Sequence, residues 1–202
     1  MNDSYIDGLL HIKTTGEQQG FNQSLHYNRY EPTPYVALDE LFDHYEIEKS
    51  DHVVDFGCGK GRLNFYIHHV FHATVTGIEM NDTFYHQALE NKSRYTKKFG
   101  NHPDRIHFHK MLAEEYEINP ADNRFYFFNP FSAGIFMKVV QNILRSVEKT
   151  KREVDIILYY PSLDYTYFLD EQTSFERKLE VPLTNLYEHN PYEKFSVYHL
   201  AY

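Results

Sequence analysis

The sequence predicts an α/β fold, an open, doubly wound and mostly parallel sheet with helices on both faces. Three observations carry that prediction. Short β-rich runs alternate with longer amphipathic segments from about residue 34 to residue 161, a pace that demands parallel strands joined by right-handed crossovers. The first β-rich run ends in an acid and three alternating glycines, Val53-Val54-Asp55-Phe56-Gly57-Cys58-Gly59-Lys60-Gly61, which describes a strand, a tight turn and a helix start. A second run, Ala73 to Ile78, ends at Glu79, about the right distance on for an acid that grips a ribose diol.

Taken in order, residues Met1 to Asn28 show no clear period and read as an arm. Thr33-Pro34 suits a helix start, and Val36, Leu38, Leu41, Phe42 and Tyr45 follow at helical spacing, so a helix is expected over 34–45. Strand one is then Val53 to Phe56, a helix Arg62 to Phe71, strand two Thr74 to Glu79 and a helix Asp82 to Phe99. Strands three and four are Ile106 to His109 and Phe125 to Phe128, followed by a helix over Gly134 to Lys149. A last parallel strand, Val154 to Tyr160, is stopped by Pro161. A short helix over Leu163 to Glu171 precedes a final pair of strands, Phe175 to Val181 and Phe195 to Tyr202. The chain accordingly divides into an arm, 1–33, and a single domain, 34–202.

Composition bounds the function. With 202 residues and 42% hydrophobic content the chain buries a real core but has no room for an appended recognition domain. The segment Met1 to Gly20 is polar and acidic, and no apolar run approaches the length of a membrane span. A single cysteine agrees with a reducing compartment. A cytoplasmic protein without membrane partners is expected. Net charge −9 argues against a broad phosphate-binding face, so DNA is not expected as a partner, and a small molecule or a protein side chain is favoured over RNA. Lys92, Arg94, Lys97 and Lys98 cluster on one helix and read as a solvated face.

The glycine pattern narrows the ligand. A nucleoside triphosphate loop reads G-x-x-x-x-G-K-[ST], whereas here the glycines alternate and no Ser or Thr follows Lys60. The dinucleotide fingerprint needs a glycine where Arg62 stands, and an apolar residue where Asp55 stands. An acid just ahead of the turn suits a ligand with a cationic end, such as an amino-acid ammonium with a sulfonium nearby. At these residues the sequence resembles the class I S-adenosylmethionine-dependent methyltransferases, whose first motif reads D/E-x-G-x-G-x-G and whose second acid ends the next strand. The resemblance runs from Val53 to about Pro161.

That resemblance implies a Rossmann-like fold of the seven-stranded methyltransferase type with an antiparallel last strand. It implies S-adenosylmethionine as cofactor, held by Asp55, Gly57, Cys58, Gly59, Gly61, Glu79 and Met80, with Leu112 and Ala113 against adenine. Leu112 stands where an Asp is common. Asn129-Pro130-Phe131 is similar to the [DNS]-P-P-[YFW] motif of amino-methyltransferases but has one proline. Carried over, the roles of orienting an acceptor nitrogen and packing on it fall to Asn129, Pro130 and Phe131, so N-methylation is expected. Tyr27-Asn28-Arg29-Tyr30-Glu31-Pro32-Thr33-Pro34-Tyr35 resembles a Tyr-x-Pro-[TS] segment that folds over the cofactor in some lysine-directed methyltransferases. Tyr30, Thr33 and Tyr35 are therefore candidate lid residues, a docking arm with aromatic anchors being the alternative.

Two other functions fit part of this pattern. A nicotinamide-dependent oxidoreductase shares the strand, loop and ribose acid, but Arg62 and the lack of a Tyr-x-x-x-Lys pair weigh against it. A non-catalytic S-adenosylmethionine-binding protein is left open by the single proline. His68 and His72 stand one helical turn apart and His107 and His109 share a strand face, but no H-E-x-x-H or cysteine set accompanies them, so no metal is expected. Cys58 reads as a small spacer. Tyr159, Tyr160, Tyr187, His189 and Asn190 lie where loops of this topology line a substrate pocket.

Overall fold

The computed structural model describes residues 2–16, 30–100, 102–183 and 190–202. Seven strands form one sheet in the order β3-β2-β1-β4-β5-β7-β6, comprising β1 (His52–Phe56), β2 (Thr74–Glu79), β3 (Ile106–Lys110), β4 (Arg124–Phe127), β5 (Val154–Tyr159), β6 (Glu176–Pro182) and β7 (Lys194–Leu200). Strands β1 to β5 pair in parallel, and β7 runs antiparallel between β5 and β6. This is the mostly parallel, doubly wound sheet with an antiparallel last strand that the motifs imply, and each strand lies within a few residues of its expected bounds.

The central strands read as continuous apolar runs because both sheet faces are covered. On one face α5 (Ala133–Lys149) lays down Ile135, Phe136, Val139, Val140, Ile143 and Val147, a stripe at helical spacing. Phe136 stacks on Tyr165 of α6 (Leu163–Gln172), with ring centroids 3.8 Å apart. On the other face α2 (Tyr35–Phe42), α3 (Arg62–Phe71) and α4 (Asp82–Phe99) bury Leu38, Leu41, Leu63, Phe65, Ala88 and Tyr95. Helix α4 starts at Asn81, whose side chain accepts from the Phe84 N–H, and stops at Gly100 in the left-handed region at φ +62°. Among the described residues no helix is long and apolar enough to cross a membrane.

One element has no counterpart in the sequence pattern. Asp3–Leu9 forms helix α1, capped by Asn2. Its inward residue is polar: Asp7, 3% exposed, accepts from the Thr14 and Thr15 N–H groups, the Thr14 hydroxyl and the Tyr35 hydroxyl. Tyr5 and Leu9 instead face solvent. A helix that buries its acid, covers Ile6 only in part and exposes Tyr5 and Leu9 leaves no clear amphipathic signature to read.

The segment after α1 is pinned to the sheet's helices by polar side chains. Asn91 of α4 accepts from the Lys13 N–H at 2.9 Å and donates to the carbonyls of Lys13 and Lys60 at 3.2 and 3.0 Å. Arg62, the first residue of α3, donates to Thr14 Oγ1 at 2.7 Å, to the Thr33 carbonyl at 3.1 Å and to the Asp3 carboxylate, and lies over the Tyr35 ring. At the other end of the sheet, buried Asp155 gathers Tyr45, His199 and Lys178.

Candidate active site

The glycine turn lies where β1 ends and α3 begins, outside the carboxyl ends of the strands and where strand order reverses between β1 and β4, the usual ligand position in open α/β sheets. The N–H groups of Gly57 and Cys58 both donate to the Ile78 carbonyl of β2, at 2.9 and 3.1 Å. Glu79 completes the attachment. One carboxylate oxygen accepts from the Gly59 N–H at 2.9 Å and the other from the Asn81 N–H at 2.7 Å. A single acid thus staples the turn to the end of β2 and to the entry of α4.

Two of the glycines are required by close approach. Gly57 has φ +80°, and a Cβ there would come within 2.6 Å of the Pro130 ring. Gly59 has φ +54°, and a Cβ there would lie 2.1 Å from the Tyr30 ring. The turn is therefore touched from one side by the segment that follows β4 and from the other by the chain that leads into α2.

Two buried acids set the electrostatics of the turn. Asp55 is 5% exposed and Glu79 8% exposed, and the Asp55 carboxylate has no hydrogen-bond or ion-pair partner among the described residues. Burial, with the Glu79 charge adding to it, pushes the Asp55 pKa up to about 8. Burial also raises Glu79, against the pull of its backbone N–H donors. The same surroundings hold the Cys58 thiol well above its ordinary range, which suits a spacer and not a nucleophile. Two buried acids with no ion-pair partner among the described residues make surroundings that gain from a cation.

Around this turn the other sequence candidates separate into groups. Thr33 is buried, and its hydroxyl shares a 2.7 Å hydrogen bond with the Tyr126 hydroxyl. Tyr126 stands directly opposite Asp55 in the register of β1 and β4. Tyr30 lies on the turn: its hydroxyl donates to the Thr14 carbonyl at 2.8 Å, its ring packs on Phe84 at 4.6 Å, and Lys60 Nζ stands 4.9 Å from its centroid. Tyr35 is fully buried against Asp7 and Arg62, an anchor of the arm. Met80 is 38% exposed just past β2, Leu112 is half-buried past β3, and Ala113 is buried.

Asn129 and Pro130 are half-buried at the end of β4, and Asn129 adopts φ +40°, a conformation that a non-glycine residue keeps only where its surroundings enforce it. Phe131 points elsewhere. It is 2% exposed, its ring meets Phe127 in the core under α5, and its carbonyl accepts from the Tyr165 hydroxyl. The aromatic at the strand end is Phe128, which packs on Tyr159 at 4.5 Å. Sequence reasoning passed over Phe128 and Tyr126, although the alternation of side chains along β4 puts both on the face of Asp55. Tyr27, Asn28, Arg29, Tyr187 and His189 lie outside the described residues. His68 is buried and bonded to the Tyr95 hydroxyl at 3.0 Å, and burial lowers its pKa to about 4. Among the described residues no group of three or more His, Cys, Asp or Glu is arranged to hold a metal.

A family model described as a methyltransferase domain matches residues 35–158, more than half of the chain. The chain belongs to this methyltransferase family. The matched stretch runs from α2 through β5 and so contains the glycine turn, Glu79 and Asn129, and membership decides against the nicotinamide oxidoreductase alternative. No curated protein sequence matches the chain. Among solved structures, a putative RNA methyltransferase from Pyrococcus horikoshii is 15% identical over 99% of this chain and 98% of that one, with a TM-score of 0.59. An RNA methyltransferase from Salinibacter ruber, crystallised with S-adenosyl-L-homocysteine, is 17% identical over 84% of this chain and 92% of its own, with a TM-score of 0.55. The N-terminal domain of human METTL16, also in complex with that compound, is 14% identical over 98% and 79%, with a TM-score of 0.57. At these identities the likeness is one of fold.

Proposed function

We propose that the protein transfers a methyl group from S-adenosylmethionine to an acceptor held at the end of β4, and that the donor lies along the turn from Asp55 to Gly61. The observation that carries this reading is the buried, unpartnered carboxylate of Asp55 beside a turn of bare backbone. When bound, S-adenosylmethionine supplies an electrophilic methyl group on a positively charged sulfur.

The chain's own groups divide the remaining work. Asp55 offers its carboxylate to the cationic amino-acid end of the donor, where removal from water strengthens the pairing. Glu79, already fixed by two backbone N–H groups, keeps spare lone pairs on both oxygens for a ribose diol. Gly57, Cys58, Gly59 and Gly61 let the backbone approach, while Met80, Leu112 and Ala113 supply an apolar slot for a planar base. Tyr30 and Thr33 close the turn from the side of the arm and exclude water. Asn129 and Pro130 present oxygens that orient an acceptor nitrogen by accepting its hydrogens, and Phe131 anchors them to the core. Acceleration then comes from holding acceptor and methyl in line in a dry cleft.

Calorimetric titration with S-adenosylhomocysteine tests the donor site: the protein is expected to bind it, and Asp55→Ala to bind it far more weakly. Equal affinity in the two proteins refutes the assignment. Transfer of labelled methyl to cell extract, lost in Asn129→Ala, tests catalysis. Binding without any transfer would instead favour a sensor.

A further inference from the structure

We propose that the wall facing the donor turn selects an aliphatic amine as the methyl acceptor, gathering it as its ammonium, which gives one proton to water before the nitrogen lone pair takes the methyl group from sulfur; this rests on the methyltransferase reading above and gives its substrate class. The wall begins on the sheet face that carries Asp55. Tyr126 is in register with Asp55, and the pairing of β4 with β5 continues so that Phe128 meets Tyr159. Tyr159 also stacks on Phe195 at 4.6 Å, and Tyr160 packs on Tyr192 at 5.7 Å. Three tyrosines and two phenylalanines from three segments thus converge on the end of β5.

One carboxylate is fixed against these rings, and the charge of a second, Glu31, reaches them. The Tyr159 hydroxyl donates to Glu193 Oε2 at 2.8 Å, which fixes that carboxylate. Burial raises the pKa of the Tyr159 hydroxyl, and the hydrogen bond to Glu193 and the charges of Glu193 and Glu31 add to it. The neighbouring base is spent elsewhere, since Lys194 Nζ bonds Glu180 at 2.9 Å. Tyr160 is held in place by its N–H to the Lys194 carbonyl at 3.1 Å and by Asn190, which donates to its hydroxyl at 2.9 Å. Like Asn129 at the adjacent strand end, Tyr160 is a non-glycine residue at positive φ, +49° against +40°. Both strand ends are turned into a conformation that only local packing maintains, as recognition sites often require.

Ring faces and carboxylates attract a protonated amine through both the ring quadrupoles and direct charge. The same wall repels a phosphate, and the net charge of −9 adds to that repulsion. A lysine side chain and a free alkylamine share the recognised chemistry.

The test uses the full chain with S-adenosylhomocysteine present and butylammonium as probe, butanol being its neutral counterpart, followed by NMR shifts of the cleft residues. Butylammonium is expected to saturate at concentrations where butanol does not, and Glu193→Gln, which still offers Tyr159 an acceptor, to weaken butylammonium about tenfold. Failure of the parent protein to bind S-adenosylhomocysteine would refute the methyltransferase reading. Binding it while taking butanol as readily as butylammonium overturns the ammonium wall alone. Labelled S-adenosylmethionine is then offered with a pool of lysine-containing peptides, with 1,5-diaminopentane and with an oligoribonucleotide. Label in the peptides supports a lysine side chain, label in the diamine supports a free amine, and label in RNA alone or in none of the three overturns the proposal.

Discussion

Donor binding should expel a proton, and the size of that effect follows from Asp55. Its folded-state pKa of about 8 stands far above the ordinary 3.8, so the empty protein holds this proton more tightly folded than unfolded. The group therefore favours the folded state at acid pH, and that contribution is lost as pH rises through 8. A ligand whose ammonium pairs with the carboxylate needs it ionised. At pH 7 the empty site carries about 0.9 proton, and binding should release nearly all of it. Affinity should accordingly rise about tenfold per pH unit from pH 6 towards 8, then level off once Asp55 is ionised, and fall at more alkaline pH as the ligand's own amino group loses its charge. Calorimetry with S-adenosylhomocysteine in phosphate and in Tris, whose ionisation enthalpies differ, counts the protons directly. Asp55→Asn should bind weakly with no proton release and no pH slope in this range. Tight binding by the parent protein with the same heat in both buffers and a flat affinity from pH 6 to 8 would refute the reasoning, because Asp55 would then be ionised in the empty site.

Further outcomes follow from the same contacts. Gly59→Ala places a Cβ 2.1 Å from the Tyr30 ring at φ +54°; the backbone strain alone costs about 1 kcal/mol, and melting temperature and S-adenosylhomocysteine affinity should both fall. Adding Tyr30→Ala should return part of the lost stability, and strictly additive losses would show that Tyr30 is not what the Cβ strikes. Arg62→Met removes the donor shared by Thr14, Asp3 and the Thr33 carbonyl; a loss of roughly 2 kcal/mol is expected, measured by urea unfolding, with hydrogen exchange rising first in residues 2–16. Tyr126→Phe breaks the bond to Thr33 and should cost about 1 kcal/mol while leaving the fold intact by circular dichroism. Asn129→Ala should bind S-adenosylhomocysteine like the parent and transfer no labelled methyl.

Most of the sheet was legible because its strands obey one rule, apolar on both faces and closed by turn residues, and Asp55 and Glu79 stood out as the acids that break that rule at the strand ends. The parts that were not legible are those held by polar bonds between distant residues. Nothing near Asp7 in the sequence says that it is buried, because the partners that make its burial possible are Thr14 and Tyr35. Phe131 misled for a related reason: a motif names the residue after a proline, but the positive φ of Asn129 redirects the chain so that Phe131 enters the core and Phe128 keeps the strand end.

These polar bonds also tie the arm to the donor turn. Asn91 holds Lys13 and Lys60 together, Lys60 Nζ donates to the Thr15 carbonyl at 3.2 Å, and Arg62 joins α3 to Asp3, Thr14 and Thr33. Apart from the bond between Asn91 and Lys60, each has one end in the arm or in the chain that enters α2, and the other in the turn or in a helix beside it. Because polar contacts of this kind contribute little net stability singly but cost heavily when one partner is left buried and unpaired, the set should open and close as a unit. Donor binding, by neutralising Asp55, would stabilise the closed set, whereas Arg62→Met would loosen it without touching the donor. The variant's affinity for S-adenosylhomocysteine should therefore fall along with its arm protection. If protection is lost at residues 2–16 while affinity is unchanged, the arm is a separate device, uncoupled from the donor turn.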